Sequence, residues 1–442
     1  MLDIKFIREY PEKLKEALAK RYVDFDVAHL LATDASWRNK VQEVDGIRQH
    51  QNELSEKISL LKGSEKKAFI EESRALKEKL GHWESELNTL DKELQSLLYQ
   101  LPNIPAEDVP VAKDESGNVV LREVGSKPKF SFTPRDYVVL GEKLDLIDTA
   151  RAAKVSGARF GYLKHEAPLL EFALVQFVFS RLINIEWLRG VIEKAGIIIS
   201  PKTYIPLVPP VMIRPGVFRA MGKLDFGQEE ERYHLPKDDL YLVGSAEHTT
   251  GAMHMDEVLP EEKLPHRHIA FSTSFRREAG SYGKDTRGIF RVHQFDKLEM
   301  FSFAHPEKSQ DEHDFFLAVQ EAMMQELALP YRVMLICTGD MVWTDAKQYD
   351  IETWLPGQNG GKGEYRETHS ASNSTDFQAR RLHARFRDNK GIPRLLHTIN
   401  GTAFAIGRTL IAILENYQRE DGSVEIPQVL VPYMSGIKEI KR

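Results

Sequence analysis

The residues best suited to chemistry fall in four clusters in the second half of the chain. Arg287–Phe303 (RGIFRVHQFDKLEMFSF) alternates, with Phe290, Val292, Leu298 and Met300 on one parity and Arg291, His293, Phe295, Lys297 and Glu299 on the other. Successive side chains of a strand point to opposite faces. One face then presents a cation, an aromatic plate and a carboxylate, a combination suited to a nucleotide or an amino acid. The same alternation also describes a solvated sheet face with incidental charges. His268–Glu278 (HIAFSTSFRRE) alternates too, with Ile269, Phe271 and Phe275 opposed to Arg276 and Glu278. In Glu364–Arg381 (EYRETHSASNSTDFQARR), Glu367 and Ser370 can supply oxygen ligands to a magnesium ion on nucleotide phosphates. The alternative there is a polar loop capping a helix near Asp376. Finally, Asn400-Gly401-Thr402 precedes an apolar helix over 403–417 in which Arg408 sits among Phe404, Ile406, Leu410 and Ile411. A guanidinium in such a setting is costly unless it meets an anion, pairs with a carboxylate or snorkels to water.

These clusters need a scaffold, and local signals outline it. The two alternating segments read as antiparallel strands joined by a long basic loop through Gly280-Ser281-Tyr282-Gly283, able to fold over a polyphosphate because guanidinium matches phosphate bidentately. Leu169–Ala195 is apolar enough to be one largely buried helix. The first hundred residues differ. Trp37, Val44, Ile47, Leu54, Ile58 and Leu61 recur in steps of three and four. After the turn Lys62-Gly63-Ser64-Glu65 the pattern resumes through Phe69, Leu76, Leu80, Trp83, Leu87, Leu90, Leu94, Leu97 and Leu101. That period marks a coiled-coil seam folded into an antiparallel hairpin, a solvated arm over about residues 36–101. Leu101-Pro102-Asn103-Ile104-Pro105 stops the second helix, and residues 106–125 read as a linker.

Composition narrows the class. The chain has 442 residues, with 60 Lys and Arg against 66 Asp and Glu for a net charge of −6. That length suggests two or three domains. Bulk attraction to nucleic acid is disfavoured, leaving room only for a local basic patch. The lone Cys337 in the strand-like run YRVMLIC forbids an internal disulfide and reads as buried structure in a reducing, cytoplasmic protein. The start, MLDIKFIREYPEKLKEAL, is expected to be neither signal nor transit peptide, and no stretch is expected to span a membrane.

In this order the segments resemble seryl-tRNA synthetase, a class II aminoacyl-tRNA synthetase, over nearly the whole chain. The resemblance rests on the opening MLDIKFIREYPEKLKEAL and on Lys143–Arg159 (KLDLIDTARAAKVSGAR). It also rests on FRREAGSYGKDTRGIFRVHQFDKLEMF as motif 2, WLPGQN…YRETHSASNSTDFQARR, and NGTAFAIGRTLIAILENYQREDGSVEIPQVLVPYM as motif 3. It implies an α+β fold: an antiparallel sheet flanked by helices over 126–442 as catalytic domain, and an N-terminal helical tRNA-binding domain over 1–105. It implies a homodimer formed through motif 1, here Leu207-Val208-Pro209-Pro210-Val211. The implied reaction is ATP-dependent joining of L-serine to the 3′ end of tRNA(Ser) through seryl-adenylate, with tRNA(Sec) a second candidate acceptor. The arm would grip the variable arm of the tRNA by shape.

Carried over by position, Arg276, Glu367 and Arg408 are the catalytic set. Arg276 holds the α-phosphate, Phe295 stacks on adenine beside Arg291, and Arg408 meets the far phosphates. Arg277, Glu278, Val292, Thr368 and His369 complete the implied ATP site, and Glu367 and Ser370 hold Mg2+. Ser245, Ala246, Glu247, Glu299, Asn400 and Thr402 surround serine. A polar pocket rejects alanine because its buried groups would go unpaired, whereas threonine must be excluded by size. This chain departs from the family at Ser245 (usually Thr), Arg277 (usually small) and His369 (usually Ser). Gly360-Gly361-Lys362-Gly363 is read as an inserted mobile lip. Two other readings are a ligase charging a carrier protein and a non-catalytic RNA-binding paralogue. The intact arm opposes the first, and the three catalytic residues oppose the second.

Overall fold

The computed structural model describes residues 1–60, 62, 65–225, 227–279, 285 and 287–442. Contacts divide the chain into two compact units, Met1–Pro102 and Asn103–Arg442.

In the first unit, α1 (Val27–Leu60) and α2 (Glu65–Tyr99) are the two long helices that the heptads predict. At 1.5 Å per residue each runs about 50 Å. They pair antiparallel: Lys40 reaches Glu86 at 2.7 Å, Arg48 reaches Glu84 at 2.7 Å, and His50 lies 3.3 Å from Glu72. Val44, Ile47, Leu54, Leu94 and Leu98 are buried along the seam. Trp37, Ile58, Leu76, Leu87 and Leu97 are only half-buried. The expected turn through Gly63-Ser64, with Leu61, lies outside the described residues.

The second unit is built on an eight-stranded sheet. In chain order its strands are β1 (Val119–Val124), β2 (Ile205–Leu207), β3 (His266–Phe275), β4 (Gln294–Ala304), β5 (Tyr331–Leu335), β6 (Lys347–Leu355), β7 (Glu364–Asn373) and β8 (His397–Ala405). Across the sheet the order is β1-β5-β6-β7-β8-β4-β3-β2. Every pairing is antiparallel except β2 on β3. One face carries Leu298, Met300, Ile351, Ala371 and Ile399. It packs on α3 (Glu166–Leu182), α4 (Ile185–Ala195), α5 (Ser309–Glu326) and α6 (Ile406–Asn416) through Phe177, Leu188, Phe315, Phe316 and Ile411 in one apolar core. The opposite face is open for chemistry.

Several expectations change here. The helix expected over Leu169–Ala195 is two helices bent by 77°, because Asn184 leaves the helix and caps the second with bonds to Glu186 N and Trp187 N. The expected linker 106–125 is not free chain. Val109 packs with Met334, Ile336 and Met341, and Val119–Val124 supplies the edge strand. Asn103, within the helical domain as expected from sequence, belongs to the second unit, where its side-chain amide donates to Thr344 O and Ser374 O, both at 2.9 Å. The segment 400–405 continues a strand, and the helix carrying Arg408 begins at Ile406. Cys337 is buried, its Sγ 3.1 Å from Asp114 O. Among the described residues no single helix is long and apolar enough to cross a membrane.

Candidate active site

Two β-bulges set the geometry of the open face. Glu367 and Ser370 are three residues apart, an odd spacing that plain alternation sends to opposite faces. In β7 the register slips: Ile351 pairs with His369 but Glu352 pairs with Glu367, so Thr368 is an extra residue. A bulge re-aims the strand at that point, and it puts Glu367 on the face of Ser370 and Asp350. Thr368 turns inward, its hydroxyl 2.6 Å from Thr353 Oγ1 and 2.8 Å from His369 Nδ1. A second slip, where Leu298 pairs with Phe404 but Glu299 with Thr402, makes Ala403 the extra residue and keeps Glu299 and Thr402 opposite each other.

The phosphate side of the face is organised by arginines. Arg276 follows β3 and donates from Nε to Gly244 O at 3.2 Å, its guanidinium 5.3 Å from the Phe295 ring. Arg408 on α6 donates to Glu367 O at 2.9 Å, lies 3.2 Å from Glu367 Oε1 and stands 4.9 Å from the Phe290 ring. Burial alone would raise the Glu367 pKa, but Arg408 and then Arg276 outweigh it and hold the carboxylate below its usual range. Half of the Glu367 side chain stays open to the cleft. Asp350 behaves oppositely. Burial, then the charge of Glu367, pushes it well above the carboxylate range, although Gln348 (3.0 Å) and Ser370 bond to it. Two acids and a hydroxyl on one patch form an all-oxygen donor set of the kind hard divalent cations take.

The loop between β3 and β4 is tied down at its described exit. Asp285 takes bonds from Arg291 (3.0 Å) and Arg366 (2.7 Å), and Arg291 also faces Glu278 at 3.7 Å. Gly288, at φ +75°, lies where any Cβ would fall 2.2 Å from Tyr137 Oη, and that hydroxyl donates to Arg287 O at 3.1 Å. Gly280-Ser281-Tyr282-Gly283 lies outside the described residues. The strand expected from Arg287 begins only at Gln294, so Arg291 reaches the site from the loop.

Beside the arginines lies a buried polar pocket. Ser245, Ala246, Glu247, Lys297, Glu299, Asn400 and Thr402 are all buried. Lys297 pairs with Glu299, and its Nζ is 3.3 Å from Ser245 Oγ, which donates to Glu299 Oε2 at 3.2 Å. Glu247 is 3.0 Å from Lys223 Nζ and takes a 3.1 Å bond from Gln378. Burial pulls both carboxyls up. In Glu247, Lys223 overcomes it and the pKa falls; in Glu299, Lys297 opposes it, the charge of Glu247 adds to it, and the pKa rises. Asn400 Nδ2 is buried with no hydrogen-bond partner among the described residues. A buried amide donor left unpaired costs about 1–3 kcal/mol, so this pocket is short of an acceptor.

Residues 1–105 match the seryl-tRNA synthetase N-terminal domain, and residues 231–417 match the tRNA synthetase class II core domain (G, H, P, S and T). The serine–tRNA ligase of Dictyoglomus turgidum is 41% identical, covering 100% of this chain and 99% of its own. This chain belongs to the serine–tRNA ligase family. The structure of Pyrococcus horikoshii seryl-tRNA synthetase complexed with ATP superposes with a TM-score of 0.84 at 40% identity, covering 100% of this chain and 99% of that one. The cytoplasmic serine–tRNA ligase of Naegleria fowleri in complex with AMP gives 0.82 at 32% identity, with the same coverage.

Not every residue expected at the site presents its side chain to it. In this synthetase-family chain Val292 lies in the core, and His369 is buried beneath the sheet against Phe404, where burial pulls its pKa down to about 3. With Thr368, these residues can meet a ligand only through backbone. Arg277 is exposed, its guanidinium 6.0 Å from the Tyr233 ring. The segment expected as a lip is packed only in part: at Gly363, φ +79°, a Cβ would fall 2.1 Å from the Trp354 ring, and at Gly361 2.6 Å from Thr133, whereas Gly360 faces open space and Lys362 is exposed. Asp376 makes no side-chain cap bond to the helix after it. Sequence reading missed Asp350, Lys223 and Arg366. It also placed Lys297 on the polar parity without a role. For Asp350 the available signal was an acid in the middle of a strand, KQYDIETWL, whereas Lys223 sits in a bend and Arg366 in a polar strand, which gave none.

Proposed function

We propose that this chain ligates L-serine to the 3′ end of tRNA(Ser) through a seryl-adenylate, within the family it belongs to. The observation that carries the reading is the adjacency, on one sheet face, of an arginine-lined carboxylate patch and a buried pocket with an unmet amide donor. In the first step the serine carboxylate attacks the α-phosphorus of ATP and pyrophosphate leaves. Arg276 stabilises the charge that grows on the α-phosphate, and Arg408 stabilises that on the leaving group. Phe295 offers its ring to adenine. Arg291, Glu278 and Arg277 frame the same nucleotide, to which Val292, Thr368 and His369 lend backbone. In the pocket, Glu247 and Glu299 accept from the serine ammonium and hydroxyl, Asn400 Nδ2 donates, and Ser245, Ala246 and Thr402 set the size. Glu367 and Ser370, with Asp350 beside them, are the donors that fit Mg2+; when bound, that ion neutralises phosphate charge. In the second step the tRNA 3′-terminal hydroxyl attacks the serine carbonyl and AMP leaves. No protein nucleophile enters, because positioning supplies the rate.

The helical arm over about 36–101 is assigned to tRNA, with Lys57, Lys62, Lys66 and Lys67 close together in sequence near its tip. Dimerisation is assigned to the 207–211 segment. Val208 is 77% exposed and Ile205 and Met212 are exposed beside it, at the sheet edge formed by β2. The protein is assigned to the cytoplasm, with tRNA(Sec) a further acceptor to be tried. Serine-dependent ATP–pyrophosphate exchange followed by charging of tRNA(Ser) tests the reading. Well-folded protein without exchange would refute it, and exchange without charging would favour the carrier-protein ligase.

A further inference from the structure

Away from the cleft, three imidazoles meet at the start of β3. His266 and His268 flank Arg267 and so share one face of the strand, and His254 reaches them from the turns after Glu247–Thr250. Ring centroids stand 4.6 Å apart for His266–His268, 5.3 Å for His254–His266 and 6.2 Å for His254–His268. One ring nitrogen from each lies within 4.8 Å of the other two.

Two further observations separate this cluster from ordinary aromatic packing. His254 Nε2 and His268 Nδ1 are both buried with no hydrogen-bond partner among the described residues. A buried polar atom without a partner is costly, and two side by side point to something that binds both. In addition, Glu257 Oε2 lies 2.8 Å from His254 Nδ1. A carboxylate there keeps the proton on Nδ1 and leaves Nε2 as the lone-pair nitrogen, as in carboxylate–histidine–metal triads.

We propose that His254, His266 and His268 bind a divalent transition-metal ion, zinc foremost, with Glu257 orienting His254. Three nitrogen donors suit zinc, whereas Mg2+ and Ca2+ require oxygen. Tetrahedral Zn–N bonds of about 2.0–2.1 Å place ligand nitrogens about 3.3 Å apart, so the rings close by roughly an ångström or more on binding. Water fills the fourth position. The remaining charged neighbours, Lys202 and Lys263, act on His266 and disfavour any ion not held by direct coordination. Along β3 the cluster is about 30 Å from Arg276, so the metal clamps the 254–257 turn to the sheet and takes no part in adenylation.

The test is zinc titration of the full-length, chelator-stripped chain by calorimetry, with cobalt absorption as the geometry readout. The expected result is one ion per chain with micromolar or tighter Kd, tetrahedral cobalt bands and a higher Tm with zinc. Serine-dependent exchange should change less than about twofold. His254→Gln and His268→Asn should each weaken zinc by at least about 100-fold, and Glu257→Gln by about 10-fold. Glu257 has a 54% exposed side chain, so that variant stays folded even if a histidine variant does not. No stoichiometric zinc uptake by the wild-type chain overturns the proposal. So does uptake that Glu257→Gln and the histidine variants leave unchanged.

Discussion

Replacing Arg408 with alanine separates a structural arginine from a catalytic one. Its guanidinium makes a 2.9 Å bond to Glu367 O, a 3.2 Å ion pair with Glu367 Oε1 and a face contact with Phe290 at 4.9 Å. The arginine side chain is 20% exposed and its carboxylate partner 50%. A pair that open to water contributes about 0–1 kcal/mol to stability, and the ring contact adds about 0.5–1 kcal/mol. The fold should therefore lose only about 1–2 kcal/mol, read from urea denaturation. If Arg408 meets charge that grows on the leaving pyrophosphate, its loss removes a preorganised donor and costs about 100- to 1000-fold in rate. The assay is serine-dependent ATP–pyrophosphate exchange with ATP varied, run beside filter binding of tRNA(Ser). Exchange should fall by that factor while tRNA affinity stays within about twofold. Removing Arg408 also removes the strongest charge holding Glu367 down, so the acid limb of the exchange profile should move to higher pH. Arg408→Lys keeps the charge but loses the fork and should fall between. Exchange reduced less than tenfold, or a parallel loss of tRNA affinity, would show the assignment to be wrong.

Three further outcomes follow from other contacts. Phe295→Ala should raise KM for ATP about tenfold, since base–aromatic stacking is worth about 1–3 kcal/mol, with KM for serine nearly unchanged; equal rises in both would contradict a role toward adenine. Arg267 and Glu312 form a bidentate pair at 2.6 and 2.7 Å with both side chains 0% exposed. Glu312→Ala strands the guanidinium and should cost about 3–5 kcal/mol in urea unfolding; a loss under about 1 kcal/mol would deny the burial cost. Burial, then the bond and charge of Asp296, push Glu171 up to about 8. The folded chain thus keeps a proton that the unfolded chain loses near pH 4.5, and this contribution disappears as pH rises from about 4.5 through 8. Glu171→Gln should flatten that decline, by about 1–3 kcal/mol across the window, in urea midpoints measured at several pH values; an unaltered slope would rule out the shared proton.

The helical arm was readable because its determinants are neighbours along the chain. A seam of apolar residues at three- and four-residue steps buries itself in any hairpin, and α1 and α2 follow it closely. The alternation in β4 was equally legible. Lys297 and Glu299 fall opposite Leu298 and Met300 as written, although the polar side is buried rather than the solvated face that the pattern also allowed. Arg276, Arg408 and Glu367 carried their type and spacing into one cleft.

What alternation could not supply was register. Whether Glu367 shares a face with Ser370 depends on Thr368 being squeezed out opposite β6. A strand read alone does not know its partner. The pairing of Glu247 with Lys223 and the elevated pKa of Asp350 likewise arise from residues distant in sequence brought into low-dielectric contact. His369 looked like a group beside the nucleotide because of its position in a motif, yet it sits beneath the sheet. The gathering of His254 with His266 and His268 has the same origin, two segments joined only by a folded turn. Periodicity is a property of consecutive residues, so element type and the polar face were legible along the chain. Which charges meet, and at what burial, is set by cross-strand register and packing, and those exist only once the sheet has closed.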